Sequence, residues 1–216
     1  MTEKLTEVEA RVVGALIEKQ LTTPEYYPLT LNSLIAACNQ KSNRDPVVSF
    51  DEETVQKALD ILRDKNIVYV FYGSTSRVPK YKHILPDVLE LEPSETAVLC
   101  VLMLRGAQTS GELRERTSRL YEFSGLGEVN ETLDNLMRRE EPLVVKLERL
   151  PGQKEARFAH FLSGEIDVEA YAKESGSTGK QAGGERIEKL EQELENLRNE
   201  FNLFRESFEE FKKQFD

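Results

Sequence analysis

The chain has 216 residues, of which 39% are hydrophobic and 31% are charged, and its formal net charge is −10. This length and apolar content allow one or two domains with buried cores. The longest apolar run, 97–104, is far shorter than the roughly 20 residues of a membrane-spanning helix, and no secretory signal pattern precedes it. We therefore expect a cytoplasmic protein with no membrane association.

The first 86 residues predict three helices followed by a β-hairpin. Thr6 and Glu9 have the spacing of a capping box, and Pro24 disfavours helix at the residue before it. The predicted elements are helices beginning at Thr6, near Thr30 and at Ser49 with Glu52 as its capping partner, a polar loop over 39–46, and strands over 67–72 and 78–85.

Residues 87–164 repeat this order of elements. The predicted elements are a helix from Pro93 to Leu104, a helix capped by Thr109 and Glu112 that runs to about Leu120, a helix over 128–139, and strands over 143–147 and 156–162. The two halves also match residue by residue: Leu5, Glu9, Val12 and Leu16 recur as Leu91, Glu95, Val98 and Leu102. Blocks that recur in the same order indicate a duplicated domain.

Three helices followed by a two-stranded hairpin is the winged-helix arrangement. We predict a mainly α fold with small β-hairpins (α+β), built from two tandem winged-helix domains and a C-terminal coiled-coil helix. The predicted boundaries are 1–86 and 87–164 for the two domains, 165–184 for a flexible linker rich in Gly and Ser, and 185–216 for the coiled coil.

Apolar residues in the last segment alternate spacings of three and four, which is the pattern of a coiled-coil seam. The charges flanking this seam pair with opposite sign in a parallel homodimer, although a trimer or docking onto another partner stays open. The predicted oligomerisation residues are Ile187, Leu190, Leu194, Leu197, Phe201, Phe204, Phe208, Phe211 and Phe215.

Cysteine and histidine, which often act as catalytic or metal-binding residues, occur only twice each. Cys38 and Cys100 lie among apolar neighbours, which predicts buried free thiols. His83 and His160 occupy matching places in the two hairpins, which points to duplication and a structural hydrogen-bonding role rather than a metal pair. Because no catalytic, zinc-binding or dinucleotide-binding motif occurs, we predict a non-enzyme without catalytic residues, cofactor or metal.

Basic and amide side chains provide candidate contacts with DNA or a protein partner, because a winged helix places its third helix in the major groove and its hairpin along the backbone. These candidates are Asn39, Gln40, Lys41, Asn43 and Arg44 in the first loop, Gln56, Lys57 and Arg63 on the third helix, Arg77, Lys80 and Lys82 in the hairpin, and Arg114, Arg116 and Arg119 in the second domain. Carboxylates at the start of the third helix oppose this interpretation, and an ordinary solvated charged face is the competing one.

Several runs of residues resemble the YceH family of uncharacterised bacterial proteins. These runs include 5–14, Glu18-Lys-Gln, Thr23-Pro-Glu, Tyr27-Pro-Leu, Ala37-Cys-Asn-Gln-Lys, Asn43-Arg44, Pro46-Val47, Leu104-Arg-Gly-Ala-Gln-Thr, Gly111-Glu-Leu-Arg and Tyr121-Glu-Phe. The resemblance covers about residues 5–164. It implies tandem winged-helix domains in a cytoplasmic bacterial protein, but it implies no activity and assigns no functional residue.

Two functional hypotheses follow from these features. The first is a homodimeric protein that binds double-stranded DNA, with a regulator of transcription as one form, through the loop and hairpin of the first domain. The alternative is a protein–protein interaction module whose winged helices do not bind DNA, an interpretation that the acidic net charge favours. Only DNA binding through phosphates should weaken steeply with salt.

Overall fold

A computed structural model of the chain describes residues 4–72, 78–149 and 153–164. The described residues all fall within one compact unit. The predicted linker, the predicted coiled-coil seam and the candidate contact residue Arg77 lie outside the described residues.

The first half, residues 4–86, folds around three main helices. Its elements in chain order are α1 (Glu7–Thr22), a 3₁₀ turn (Pro24–Tyr26), β1 (Leu29–Thr30), α2 (Leu31–Cys38), α3 (Glu52–Asp64), β2 (Val68–Phe71) and β3 (Lys80–His83), and the single-turn α4 (Leu85–Val88) then leads into the second half. The capping box is confirmed, because the Thr6 hydroxyl accepts from the Glu9 amide and the Glu9 carboxylate accepts from the Thr6 amide.

The predicted start of the third helix at Ser49 was wrong. The helix begins at Glu52, because the Asp51 carboxylate accepts a hydrogen bond from the Thr54 amide at 2.9 Å and so forms the N-cap. Residues before Asp51 remain non-helical and close the loop after α2.

The hairpin of the first half belongs to a three-stranded antiparallel sheet with the order β1-β3-β2. β1 is only two residues long and was not predicted, since so short a strand has no detectable alternation of apolar and polar residues. It pairs Leu29 with Tyr81 and Thr30 with Lys80, so the chain just before α2 is hydrogen-bonded to the edge of β3 that does not pair with β2.

The second half, residues 87–164, has the same arrangement. Its elements are α5 (Pro93–Arg105), α6 (Ser110–Thr117), α7 (Leu126–Arg138), β4 (Val144–Lys146) and β5 (Phe158–His160). α6 ends earlier and α7 begins earlier than predicted. Gln108 and Phe158 exchange backbone hydrogen bonds of 2.9 and 2.7 Å, which reproduces the attachment that β1 makes in the first half.

The duplication is visible in the dimensions and register of the elements. α2 and α6 each have 8 residues, and α3 and α7 each have 13. The hairpins are in the same register, because Val68 pairs with His83 in the first and Val144 with His160 in the second. The described chain is thus a mixed α/β fold made of two similar helical halves, each with a small antiparallel sheet.

An ion pair with a buried carboxylate is repeated in both halves. The Glu9 carboxylate lies 2.7 Å from the Lys65 ammonium, and the Glu95 carboxylate lies 3.3 Å from the Arg139 guanidinium. These four residues occupy equivalent places, where the first turn of α1 or α5 meets the residue just after α3 or α7. The carboxylate in each case also completes the capping box of its helix, so one side chain ties two helices together.

The two halves share one continuous core, with α1 packed against α5. The equivalent residues Gly14 and Cys100 meet in this contact, where the Cys100 thiol donates to the Gly14 carbonyl at 3.4 Å. Both cysteines are buried and free, as predicted, and burial raises the pKa of the Cys38 thiol to about 12. Among the described helices, none combines the length and apolar character that crossing a bilayer requires.

Candidate nucleic-acid interface

The outer side of the first hairpin carries two aromatic and two basic side chains, which we call the hairpin face: Tyr69, Phe71, Lys80 and Lys82. Tyr69 stands directly opposite Lys82, and Phe71 directly opposite Lys80. Tyr69 is 49% exposed and Phe71 is 50% exposed. Within the described residues neither lysine forms an ion pair, so both charges are available to a ligand.

The inner side of the same hairpin is anchored in the core. Tyr81 is buried and its hydroxyl hydrogen-bonds with the Gln56 side chain at 3.3 Å. The ring of the buried His83 makes an edge-on contact with the Tyr27 ring, and the His83 backbone amide donates to the Tyr27 hydroxyl at 2.8 Å. The outer side chains therefore project from a strand pair whose position is set by buried contacts.

The His83 ring does not have the hydrogen-bonding role that we predicted, and Nδ1 of the His160 ring does not have it either. Neither ring nitrogen of His83, nor Nδ1 of His160, has a hydrogen-bond partner among the described residues. Burial lowers the pKa of both imidazoles to about 4, and the Lys82 charge contributes to the shift at His83. Both rings are therefore neutral near pH 7, and the His83 ring acts as a packing group.

The candidate contacts on α3 are exposed or half-buried, but carboxylates of the same helix neutralise them. Lys57 lies 2.6 Å from Glu53 and Arg63 lies 3.4 Å from Asp60, while the Gln56 amide donates to Asp60 at 3.1 Å. α3 as a whole therefore offers no excess of positive charge to a phosphate backbone.

Two candidates in the first loop serve the fold instead. The Arg44 side chain is 0% exposed, pairs with both carboxylate oxygens of Glu18 at 3.0 and 2.6 Å, and donates twice to the Ala37 carbonyl. The Asn39 amide exchanges two hydrogen bonds of 2.8 Å with the Phe50 backbone. We correct the prediction for both residues, because their polar groups are already used inside the protein.

The remaining loop candidates lie at the surface, two of them at the junction of the halves. Lys41 is exposed, whereas Gln40 and Asn43 line an open groove of about 510 Å³. Arg116 and Arg119 line the same groove, so the structure brings candidates from both halves together. Arg114 is exposed outside this groove.

The basic residues of the groove have a structural explanation. The groove lies where α1, α2, α5 and α6 all end, and Lys19 and Arg105 lie in the last turns of α1 and α5. Helix C-termini carry partial negative charge, which nearby cations offset. Burial lowers the pKa of Arg105, and the charges of Arg116 and Arg44 add to that shift. The groove is therefore a less distinctive candidate than the hairpin face.

The sequence reasoning did not select Tyr69 and Phe71 as contact residues. The available signal was the alternation of aromatic residues with valines along a predicted strand. Lys19 and Arg105 had no such signal, because the groove forms only when the two halves pack. In the described part of the chain, no three His, Cys, Asp or Glu side chains are placed to hold a metal ion.

Comparisons with known proteins place this chain among bacterial relatives. Residues 5–153 match the family model described as "Protein of unknown function, DUF480". The chain is 52% identical to a UPF0502 protein of Citrifermentans bemidjiense, with 89% of each chain covered. It is 56% identical to a UPF0502 protein of Opitutus terrae, covering 76% of this chain and 72% of the relative. It is 48% identical to a UPF0502 protein of Vibrio atlanticus, covering 89% and 91%. The chain belongs to the DUF480 family of bacterial proteins, which includes these UPF0502 relatives.

Proposed function

We propose that this protein is a non-enzymatic, cytoplasmic tandem winged-helix protein that associates with DNA, with regulation of transcription as the role to test. The repeated order of three helices and a hairpin supports the winged-helix assignment of each half. The observation that carries the DNA assignment is the hairpin face, where two lysines without an ion-pair partner in the described chain lie beside exposed aromatic rings.

The contact surface in this proposal is the hairpin face and not α3. Phosphates are bound by cations whose charge is not already neutralised, and the lysines of the hairpin face meet this condition. The cations of α3 do not, because Glu53 and Asp60 pair with them. Since the chain carries a net charge of −10, such a local cationic surface is where an approaching phosphate would be attracted rather than repelled.

A homodimer fits this proposal. The heptad pattern of residues 185–216 predicts a parallel coiled coil, and a dimer would present two hairpin faces to one DNA molecule. Linking two modules raises apparent affinity without any new contact. Removal of residues 185–216 should therefore weaken DNA binding while leaving the binding of one module intact.

The test compares two double charge reversals of equal size in the full-length protein. Lys80→Glu with Lys82→Glu changes the hairpin face, and Lys57→Glu with Arg63→Glu is the matched control on α3. Retention of labelled genomic fragments is measured at about 50 and 150 mM salt, where two phosphate contacts per hairpin face give a log–log slope near −1.8 for one face and near −3.6 for the two faces of a dimer. We expect the hairpin variant to lose at least about tenfold in affinity and the α3 variant less than about twofold.

Equal losses in the two variants would show that only net charge matters and would contradict a hairpin contact. Enrichment of particular fragments would support a sequence-specific regulator, because phosphate contacts alone carry no sequence information. If the unmodified protein retains no fragments at the lower salt concentration, the DNA proposal fails.

A protein–protein interaction module is the second candidate function. The observation that favours it is the acidic character of the third helix in both halves, since α3 opens with Glu52 and Glu53 and α7 with Glu128. In a winged helix that reads DNA, this helix enters the major groove between phosphates, where carboxylates are repelled. Under this alternative the fragment assay shows no retention at either salt concentration.

A further inference from the structure

A DNA duplex could contact the lysines of the hairpin face but not its aromatic rings. Lysines can contact the phosphates of any nucleic acid. The bases of a duplex are stacked inside it, so the exposed rings of Tyr69 and Phe71 would find no free base surface there. A single strand offers both unpaired bases and phosphates, and aromatic side chains bind such bases by stacking.

The geometry of the strand suits this use. Tyr69 and Phe71 are two positions apart on β2, so they project from the same side and lie about 6.6–6.8 Å apart along the strand. Lys82 and Lys80 stand directly across from them on β3. Each aromatic ring thus has a lysine directly opposite it. One ring and its lysine can contact the base and the phosphate of one nucleotide, and the second ring and lysine can contact those of the next nucleotide.

The equivalent positions of the second hairpin show that the fold requires neither the two aromatic rings nor Lys82, whereas the position of Lys80 is taken by another basic residue, Arg157. Val145 and Leu147 correspond to Tyr69 and Phe71, and Ala159 corresponds to Lys82, since the pairs Val145–Ala159 and Tyr69–Lys82 occupy the same register. Leu147 and Ala159 are buried, whereas both rings of the hairpin face are about half exposed. Exposure of two aromatic rings at these positions is therefore a property of the first hairpin and not of the second.

We propose that the hairpin face binds unpaired bases of a single nucleic-acid strand, which stack on Tyr69 and Phe71 while Lys80 and Lys82 contact the flanking phosphates. This inference rests on the proposed DNA association and names the form of DNA that the same surface prefers. It applies to a locally opened duplex as well as to a free strand, because both expose base faces.

The first experiment measures fluorescence anisotropy of the full-length protein with a labelled oligothymidylate of about 20 nucleotides and with a duplex of the same length. The unmodified protein should bind the single strand more tightly. Tyr69→Ala with Phe71→Ala should lower single-strand affinity by at least about tenfold and change duplex affinity by less than about twofold. Tyr26→Ala, at a tyrosine of the 3₁₀ turn that is 72% exposed, is the matched control and should leave both affinities unchanged.

A second readout reports stacking directly. The chain contains no tryptophan, so Tyr69→Trp introduces a single indole whose fluorescence a stacked base quenches. The oligothymidylate should quench this emission, whereas it should not quench a tryptophan placed by Tyr26→Trp. Because Tyr69 is about half exposed and Tyr26 is largely exposed, both variants should keep the thermal unfolding midpoint of the unmodified protein, which checks that the fold is intact.

The outcomes separate the two proposals. Equal or tighter binding of the duplex, without loss in the double alanine variant and without quenching at position 69, overturns base stacking and leaves the proposed DNA association standing. Absence of binding to either probe overturns both. Preference for the single strand that disappears only in the hairpin-face variants supports the inference.

Discussion

The two hairpins have the same strand register, but the side chains on their outer sides differ in exposure. In both, a buried valine faces a histidine across the strands, as Val68 faces His83 and Val144 faces His160. On the other side, the first hairpin exposes Tyr69 and Phe71, while the second buries its equivalent leucine. The inner side is therefore what the fold needs, since it recurs, and the outer side of the first hairpin is free to serve a ligand.

A similar contrast separates the ion pairs. The pair Glu9–Lys65 recurs as Glu95–Arg139 and therefore belongs to the common architecture of the halves. The pair Glu18–Arg44 does not recur, because Leu104 occupies the place equivalent to Glu18. Arg44 fastens the loop after α2 in the first half only, whereas the second half has a shorter connection there.

The largest expected effect comes from breaking this unshared pair. Arg44→Ala leaves the mostly buried Glu18 carboxylate with only its longer contact of 3.6 Å to Lys19 and removes the two hydrogen bonds to the Ala37 carbonyl, so we expect a loss of about 3–5 kcal/mol in the free energy of unfolding. Urea denaturation of the full-length protein measures it. Lys57→Ala is the control, because its exposed pair with Glu53 contributes only about 0.3–0.5 kcal/mol. A loss below about 1 kcal/mol for Arg44→Ala would show that the loop is not held by this pair.

The two histidines should behave alike despite their different hairpins. Their pKa is lowered from 6.5 to about 4 by burial, so below pH 6.5 the unfolded chain binds more protons than the native protein. The stability from keeping each ring neutral is fully present above about pH 6.5, falls as the pH falls, and is reduced by about 3 kcal/mol per histidine at pH 4.

Replacing either ring by phenylalanine removes this dependence. In His83→Phe and in His160→Phe, the difference in unfolding free energy between pH 7 and pH 4 should be smaller than in the unmodified protein by about 3 kcal/mol. Chemical denaturation at the two pH values measures this difference. If a variant keeps the pH dependence of the unmodified protein, the histidine that it replaces is protonated in the native state without cost.

The smallest expected effect tests the contact between the halves. A β-carbon on Gly14 would lie 3.1 Å from the Leu104 side chain and 3.2 Å from Met103. The added methyl group overpacks this contact, which costs about 1–3 kcal/mol of stability. This cost exceeds the gain of about 1 kcal/mol from the higher helix propensity of alanine. Gly14→Ala should therefore destabilise the protein by about 1 kcal/mol.

Gly127 is the matched control for this substitution. It lies in the first turn of α7, where a β-carbon would meet no neighbouring side chain or loop within 4 Å. Gly127→Ala should leave the thermal unfolding midpoint unchanged or raise it, because only the propensity gain of up to about 1 kcal/mol acts there. Equal shifts in both variants would indicate that α1 and α5 are not tightly packed at Gly14.

Much of the local structure could be predicted from the sequence. Thr6 with Glu9 and Thr109 with Glu112 are caps whose partners lie three residues away, and both were found as predicted. The order of helices and strands followed from apolar periodicity and from the repeat. Apart from the two-residue β1 and the single-turn α4, which were not predicted, the errors lay at the ends of elements. At α3, Asp51 rather than a residue near Ser49 supplies the cap, because several polar residues there could cap a helix.

The candidate site was predictable only in part. Lys80 and Lys82 were selected from composition, and the structure places them on an open strand face. Arg44 was selected for the same reason, yet it is buried. Composition cannot distinguish an arginine that faces solvent from one that pairs with a carboxylate 26 residues earlier in the chain, because that pairing depends on how α1 meets the loop after α2.

The sequence by itself determined the duplicated order of elements, the helix caps and the alternation along the strands, since these depend on residues within a few positions of one another. Only the tertiary structure decided which charges are neutralised, which aromatic rings stay exposed, and how α1 and α5 join the halves through Gly14 and Cys100. These properties arise from side chains far apart in the sequence, so the hairpin face is recognisable only once burial and ion pairing have accounted for the other charges.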